Sequence, residues 1–291
     1  MITCIGLASG IGAGNIDCGY GPLFLKDNLK MDELNFEKII TIDEDIENKF
    51  DHLALLNHKL SCESFKLAEK KEFFISFGGD HSSAIGMWTG ISEERKRFNQ
   101  EIGLLWIDAH MDSHTPKTSE SGNVHGMPLA TLLGFGDSRL TGILSSGSKI
   151  KPENVILIGI RSFETAEFEL LKALNVKIYF IEEVLARGFK VVLDEAITSI
   201  STRTDGYGVS FDLDVLDPKI IQAVGSPVPN GIDPKDALMA MDAFTKQPPI
   251  AFEIVEYNPK LDINLETFKF IKAFLKKMIA REIKTSSLLT R

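Results

Sequence analysis

Eight short apolar runs, separated by segments that include several of helical length, most constrain the fold of this chain. Two of the runs, Ile102–Ile107 and Val155–Ile160, are almost continuously apolar, which is typical of strands covered on both faces. Strands that alternate with helices predict a three-layer α/β/α sandwich around a mostly parallel sheet of about eight strands. The predicted strands are Ile2–Leu7, Lys38–Ile42, Phe73–Phe77, Ile102–Ile107, Val155–Ile160, Lys177–Ile181, Gly208–Leu213 and Ile250–Val255.

Helix-compatible segments lie between these strands, and an amphipathic, Lys-rich segment, Glu266–Ile283, follows the last one. We predict that this last segment packs on the sheet, with a partner-binding helix as the alternative. Ser113–Gly126 and Gly134–Ser148 are predicted to be long loops of the kind that carry function. No repeat or linker divides residues 1–291, which predicts a single domain. The other helix-compatible segments include Glu44–Lys71, Ser82–Phe98, Glu164–Ala173 and Pro234–Thr245.

Charge and composition exclude several classes of protein. The chain carries 32 Lys and Arg against 41 Asp and Glu, a net charge of −9, which argues against a nucleic-acid partner. It has no apolar run long enough to span a membrane, and Met1–Ser9 does not have the pattern of a signal peptide, so we expect a cytoplasmic protein. Cys4, Cys18 and Cys62 form no CxxC pair and are predicted to be buried thiols.

Polar clusters follow four of the predicted strands. The four clusters are Gly78-Gly-Asp-His81, Asp108-Ala-His-Met-Asp112, Asp212-Leu-Asp214 and Glu256-Tyr-Asn-Pro259. Ligands of open parallel sheets bind at the carboxyl ends of the strands. Side chains alternate along extended backbone, so Asp108, His110 and Asp112 are expected to point the same way, as are Asp212 and Asp214. The residues expected to converge as ligands are His81, Asp108, His110, Asp112, Asp212 and Asp214.

Four carboxylates and two imidazoles predict a binuclear metal site. The acids would repel one another unless cations neutralised them, and two divalent ions match their total charge of −4. An oxygen-rich set with some imidazole suits manganese or a related ion better than structural zinc. Any one motif alone more often caps a helix or turn, but three together, each after an apolar strand, favour the metal site. Water bridging two such ions yields hydroxide near neutral pH, which predicts a hydrolase.

These motifs resemble those of the ureohydrolase family, and within it the arginase branch. They run in family order and spacing over nearly the whole chain, and the SGNxHGMPLA segment is similar to arginases rather than to agmatinases. The resemblance implies the α/β/α fold, a homo-oligomer (trimer or hexamer) and hydrolysis of a guanidino group to urea and an amine. The matching segments are Gly78–Ser83, Trp106–Asp112, Ser121–Ala130, Ser210–Pro218 and Glu256–Pro259.

The resemblance also implies roles for individual residues. It makes His125 the proton shuttle and Glu256 the partner of the guanidinium, and places Asp112 with them among the catalytic residues; a structural loop histidine and a solvent-facing acid are the alternatives. It implies two Mn²⁺ per subunit, bridged by Asp108 and Asp212. One ion would be bound by His81, Asp108, Asp112 and Asp212, and the other by Asp108, His110, Asp212 and Asp214. His52 and His58 are predicted to be solvated.

The substrate's amino-acid end has five expected contacts. Ser121, Asn123 and Ser226 match family positions, whereas His114 replaces an asparagine and Glu164 replaces an aspartate. L-Arginine stays the expected substrate, because histidine keeps a hydrogen-bond donor and glutamate keeps the charge. The two departures leave room for another guanidino compound, namely guanidinobutyrate, guanidinopropionate or agmatine.

Three other functions are alternatives to the hydrolysis of a guanidino group. Gly10-Ile-Gly-Ala-Gly14 follows the first strand where a dinucleotide-binding loop would lie, but Asn15 takes the third glycine position of GxGxxG, and a flexible loop beside the active site is favoured. A metal-dependent amide hydrolase, such as a deacetylase, would need no acid for a guanidinium, whereas Glu256 is present. A non-catalytic binding protein is disfavoured by the full ligand set.

Overall fold

The computed structural model describes residues 1–41 and 46–289, which contain an eight-stranded sheet. Its strands are β1 (Ile2–Ala8), β2 (Leu34–Thr41), β3 (Phe74–Gly78), β4 (Gly103–Ile107), β5 (Val155–Ile160), β6 (Lys177–Phe180), β7 (Tyr207–Asp212) and β8 (Ala251–Val255). Their order across the sheet is β2-β1-β3-β8-β7-β4-β5-β6, and every neighbouring pair is parallel. The predicted parallel, eight-stranded architecture is therefore confirmed.

Helices cover both faces of this sheet. Leu105 and Ile107 of β4 pack in one core with the helices α8 (Phe189–Ser201) and α10 (Glu266–Leu289). Leu104 and Trp106 pack in a second core with α2 (Lys49–Glu69) and α3 (Ala84–Lys96). Each fully buried aliphatic side chain contributes roughly 1.5–3 kcal/mol, which is why these strands are apolar on both faces. Among the described residues, no helix has the length and apolarity to cross a bilayer. The helices are α1 (Gly21–Asn28), α2 (Lys49–Glu69), α3 (Ala84–Lys96), α4 (Pro128–Leu132), α5 (Ser138–Thr141), α6 (Thr165–Ala173), α7 (Ile181–Arg187), α8 (Phe189–Ser201), α9 (Pro234–Ala240) and α10 (Glu266–Leu289).

Several predicted boundaries shift by a few residues. Asn48 caps α2 by accepting hydrogen bonds from the first-turn amides, so this helix begins later than predicted; the predicted termini Ile42 and Glu44 lie outside the described residues. The predicted helix Pro234–Thr245 divides into α9 and a 3-10 helix, Met241–Thr245. The predicted loops hold only short helical turns, such as Val124–Gly126.

One prediction about α2 was wrong. His52 is 6% exposed rather than solvated, because it lies four and eight residues before Leu56 and Leu60 on the buried face of the helix. His58 is exposed, as predicted. Cys4 and Cys18 are buried, as predicted, but Cys62 is partly exposed, so the prediction of a buried thiol is wrong there.

Four central strands place the polar clusters together. Strands β3, β8, β7 and β4 are consecutive in the sheet, and each is followed by one of the clusters singled out in the sequence. Because all four are parallel, their carboxyl ends lie at the same edge. The sheet order therefore gathers segments that are up to about two hundred residues apart in the chain.

Candidate metal centre and its cavity

Six acidic and imidazole side chains meet at the centre of this edge. All are buried except the imidazole of His110, whose side chain is 26% exposed. Two overlapping groups within them could each hold a metal ion, and Asp108 belongs to both. The six residues are His81, Asp108, His110, Asp112, Asp212 and Asp214.

Tight turns, rather than extended backbone, bring the acids of each motif together. Strand β4 ends before Asp108, and β7 ends at Asp212. The prediction that alternation along a strand brings these side chains together is therefore wrong. Oδ1 of Asp108 accepts a hydrogen bond from the backbone N of His110 at 2.7 Å, and Oδ1 of Asp212 accepts one from the backbone N of Asp214 at 2.8 Å. Asp112 has a φ of 47°, in the left-handed region, as residues at functional sites often do.

The first ligand group surrounds one nitrogen of His81. Its Nδ1 lies 3.1 Å from Oδ2 of Asp108 and 3.0 Å from Oδ2 of Asp112. Oδ2 of Asp212 is 3.1 Å from the same nitrogen. A ring nitrogen carries at most one hydrogen, so it cannot satisfy three carboxylates. Nδ1 is buried and has no hydrogen-bond partner within the described residues.

The second ligand group is built on His110. Its Nδ1 lies 2.9 Å from Oδ2 of Asp214 and 3.6 Å from Oδ1 of Asp108. Asp108 thus turns one oxygen toward each imidazole, because Oδ2 faces His81. A carboxylate between two ligand groups suits a bridge between two cations.

The acids perturb one another's protonation. Burial and the charge of Asp108 raise the pKa of Asp112 to about 6. Burial and the charges of Asp214 and Asp108 raise the pKa of Asp212 well above its usual range. Burial alone would lower the pKa of His81, but the adjoining carboxylates raise it well above its usual value. Clustered negative charge therefore needs protons or cations nearby.

The donor set fits divalent cations. Carboxylate oxygens outnumber imidazole nitrogens. One ligand atom from each of His81, Asp108 and Asp212 lies within 4.8 Å of the others, and the same holds for Asp108, His110 and Asp214. An orphaned, buried imidazole nitrogen facing three carboxylates is what a metal ion would satisfy. Oxygen-rich sites with some imidazole suit Mn²⁺ and similar ions.

Trp106, which was not predicted to be a site residue, contacts two residues of the first ligand group. Its ring stacks on His81 with centroids 4.2 Å apart and an interplanar angle of 7°. Its Nε1 donates a hydrogen bond to Oδ2 of Asp108 at 2.9 Å. The residue lies two positions before Asp108, so the period of the strand would have placed the two on one face.

Glu256 and His125 form a pair beside the metal ligands. Nδ1 of His125 lies 3.0 Å from Oε1 of Glu256, which also accepts the backbone N–H of His81 at 2.9 Å. Oε2 of Glu256 is buried without a hydrogen-bond partner in the described part of the chain. Burial would lower the pKa of His125, but the hydrogen bond and charge of Glu256 raise it to about 9.

The Gly10–Gly14 loop supports the His125 segment. The carbonyl of Gly12 accepts a hydrogen bond from the backbone N of His125 at 3.1 Å, and the N–H of Gly12 donates to Oδ2 of Asp80 at 2.9 Å. A Cβ on Gly12 would lie 2.5 Å from Oδ1 of Asp80, which explains the glycine. The loop lies beside the candidate site, and Gly12 itself is buried and hydrogen-bonded.

A cavity of about 310 Å³ opens above the ligand groups. Every predicted site residue lines it except Asp108, which is fully buried beneath. Among the described residues, no Lys or Arg lines it, so its charge is negative. The lining residues are His81, His110, Asp112, His114, Ser119, Glu120, Ser121, Asn123, His125, Gly126, Ser162, Phe163, Glu164, Glu167, Asp212, Asp214, Ser226 and Glu256.

One wall of this cavity carries a second imidazole–carboxylate group. Nε2 of His114 is in close hydrogen-bond contact with Oε2 of Glu164 and lies 3.4 Å from Oε2 of Glu167. Its Nδ1 lies 3.1 Å from Oγ1 of Thr118. Glu167 was not predicted, although its position three residues after Glu164 at the start of α6 is typical of a capping box, which the structure contains.

The sequence profile of the arginase family matches residues 12–280 of this chain. An arginase from Bacillus caldovelox is 38% identical over 232 residues, which cover 79% of this chain and 76% of that protein. The chain is therefore similar to this enzyme over most of its length.

Solved arginase structures are similar over nearly the whole chain. The B. caldovelox arginase superposes with a TM-score of 0.87 at 32% identity and covers 96% of this chain and 97% of its own. The arginase from Entamoeba histolytica, solved in complex with L-ornithine, has a TM-score of 0.84 at 31% identity and covers 94% of this chain and 98% of its own.

Proposed function

The chain belongs to the arginase family, and from that membership we propose that it hydrolyses L-arginine to L-ornithine and urea with two bound Mn²⁺ ions. As a member of this family it is a hydrolase that acts on guanidino groups. The observation that carries the proposal is the pair of ligand groups that share Asp108 below the cavity. The L-ornithine bound by the E. histolytica arginase supports this choice of product.

The ligand groups would hold two ions, and Asp108 would belong to both sets of ligands. By the family resemblance, Asp212 would belong to both sets as well. When bound, the ions supply hydroxide from water near neutral pH and stabilise the negative charge that develops on attack. The four carboxylates would hold the ions in place, and their total charge of −4 would balance two divalent cations. The proposed ligands are His81, Asp108, Asp112 and Asp212 for one ion, and Asp108, His110, Asp212 and Asp214 for the other.

Glu256 and His125 act on the guanidino group itself. The unpartnered Oε2 of Glu256 accepts a hydrogen bond from the guanidinium. The hydrogen bond from Nδ1 of His125 to Oε1 holds this imidazole in its protonated form, because its pKa is raised to about 9. Protonated His125 then gives a proton to the departing amine, which is otherwise a poor leaving group.

The outer part of the cavity binds the amino-acid end of the substrate. Ser121, Asn123 and Ser226 offer neutral hydrogen-bond groups there, and His114 offers an imidazole paired with Glu164. These groups suit an α-carboxylate and an α-amino group. The hydrogen bond between His114 and Glu164 is the specific observation that favours a second candidate, a guanidino compound with a different far end.

A panel of substrates tests the proposal. We expect manganese-loaded protein to release urea from L-arginine with a higher kcat/KM than from agmatine, guanidinobutyrate or guanidinopropionate. Urea is measured for each compound at several concentrations, with protein freed of metal as the control. Background rates for all four compounds with manganese bound would overturn the proposed reaction, and a higher rate for one of the other three would establish the second candidate.

Replacing His114 with alanine tests the assignment of the outer cavity. We expect kcat/KM for L-arginine to fall by about 10–100-fold, because a hydrogen bond to a charged group is worth roughly 1.5–3 kcal/mol. The value for agmatine, which lacks the α-carboxylate, should not change. His58→Ala, on the exposed face of α2, is the control and should alter neither value. Equal losses for the two substrates would show that His114 does not contact the carboxylate.

We propose that the enzyme is a single-domain, cytoplasmic homo-oligomer, either a trimer or a hexamer. The sheet order interleaves strands from both ends of the chain, which supports one domain over residues 1–291. Cys4, Cys18 and Cys62 are free, which suits a reducing compartment. Light scattering coupled to size-exclusion chromatography will give the number of subunits.

A further inference from the structure

A buried carboxylate lies in the middle of the sheet, near the proposed metal ligand His81. Glu253 is in β8, between β3 and β7, and is fully buried. Its Oε1 accepts a hydrogen bond from Ser83 Oγ at 3.0 Å. Its Oε2 accepts one from Trp88 Nε1 and one from Ser210 Oγ, both at 2.9 Å. All three partners of Glu253 are thus neutral donors. Burial of a carboxylate without a cationic partner costs free energy of folding, and an apolar residue at this position would cost less.

The position of Ser210 links Glu253 to His81. In the parallel pairing of β7 with β8, Ser210 and Glu253 are register partners. Ser210 Oγ also lies 2.9 Å from Nε2 of His81. One hydroxyl therefore stands between the carboxylate and the imidazole.

The hydrogens available in this series of hydrogen bonds determine which ring nitrogen of His81 is protonated. An indole N–H can only donate, so Oε2 of Glu253 is an acceptor where it meets Trp88. Ser210 has one hydroxyl hydrogen, and it is donated to the same oxygen. The oxygen of Ser210 is then left to accept, and the hydrogen in its contact with His81 belongs to Nε2. Nδ1 of the neutral ring consequently carries a lone pair.

We propose that Glu253, acting through Ser210, is a positioning residue that sets the tautomer of His81 and so aims the Nδ1 lone pair at the metal. The proposal rests on the metal centre of the proposed function. Trp106 fixes the plane of the ring by stacking, and the Glu253–Ser210 relay fixes where its hydrogen lies. Metal-binding histidines generally need such a partner on their other nitrogen, and its loss weakens metal binding.

The chain offers a matched pair of variants. Ser83 and Ser210 are both buried and donate to opposite oxygens of Glu253, but only Ser210 reaches His81. Mn²⁺ is titrated into metal-free protein and followed by electron paramagnetic resonance. We expect Ser210→Ala to weaken binding by about 10–100-fold, and Ser83→Ala to leave it unchanged. Equal weakening in both variants, or none in Ser210→Ala, would overturn the relay.

Glu253→Gln provides a rescue by a conservative variant. Its amide oxygen can replace Oε2 and accept from Trp88 and Ser210, while its NH₂ group donates to Ser83. We therefore expect nearly unchanged Mn²⁺ affinity, and a loss as large as that of Ser210→Ala would contradict the relay. A carboxylate that acted only through its negative charge would not be replaced by an amide.

Nitrogen-15 NMR of zinc-loaded, histidine-labelled protein gives a second readout. We expect an Nε2–H signal for His81 that moves in Ser210→Ala and not in Ser83→Ala. A signal from Nδ1–H in the wild type would overturn the assigned tautomer. Wild-type protein that binds neither ion would refute the metal centre and the relay together. Protein that binds Mn²⁺ with the expected difference between the serine variants, but releases no urea, would refute the reaction and support the relay.

Discussion

Asp108→Asn is expected to abolish urea release from L-arginine, with a fall in kcat of about 10³-fold or more, which exceeds what the loss of one preorganised donor costs. Asp108 faces the imidazoles of both ligand groups and accepts hydrogen bonds from Trp106 Nε1 and His110 N. An asparagine keeps one acceptor and puts an NH₂ group where one of these donors, or a cation, must lie. Both proposed ions lose a negatively charged ligand at once.

Thermal unfolding with and without Mn²⁺ will show whether the loss is one of metal binding. An ion that binds only the folded state stabilises it by RT ln(1 + [L]/Kd), so the wild type should gain stability on addition of Mn²⁺ and the variant should gain much less. Asp262→Asn is the control, since Asp262 is also buried and accepts from Tyr257 Oη and two backbone amides, yet lies outside the ligand groups. The control should lower Tm and keep the Mn²⁺-induced gain. A variant at Asp108 that keeps that gain would contradict its bridging role.

The sheet could be predicted because its central strands bury both faces. Apolar runs mark β4 and β5 almost to the residue. The edge strand β2 was placed only in its second half, because Leu34–Thr41 alternates with exposed polar residues such as Asn35 and Glu37. Gly188, at a φ of 88°, separates α7 from α8, and neither helix was among the segments predicted from the sequence.

The clustering of the site residues could also be predicted from the sequence, but the residues that support them could not. Acids and histidines after four apolar strands pointed to one edge of the sheet. Ser210 and Glu253 sit inside strands, and only the pairing of β7 with β8 shows that they are neighbours. Glycines at Gly10–Gly14 suggested a dinucleotide loop as an alternative, whereas Gly12 in the structure holds the backbone of His125. Strand order, which a single sequence does not state, supplies these contacts.

Glu256→Gln is expected to shift the alkaline limb of the pH–rate profile to lower pH. His125 acts as an acid, so its protonated form is the active one, and activity should be lost as pH rises through its pKa of about 9. Glu256 raises that pKa through a hydrogen bond and its charge, against the opposing effect of burial. A glutamine removes the charge, so the pKa should fall toward the ordinary histidine value of about 6.5 or below. The proton is then lost at a lower pH.

The midpoint of the limb, rather than the rate, is the quantity to compare, because Glu256 is also proposed to bind the guanidinium. The profile of kcat/KM for L-arginine is measured with manganese at saturation for the wild type, Glu256→Gln and Glu120→Gln. Glu120 lines the same cavity, so its variant removes the same charge, but it is not among the groups with the largest effects on the pKa of His125. The limb should move only in Glu256→Gln. If it stays in place there, or moves equally in both variants, then the proton lost in that limb does not belong to a His125 held by Glu256, and another group must supply the proton to the amine.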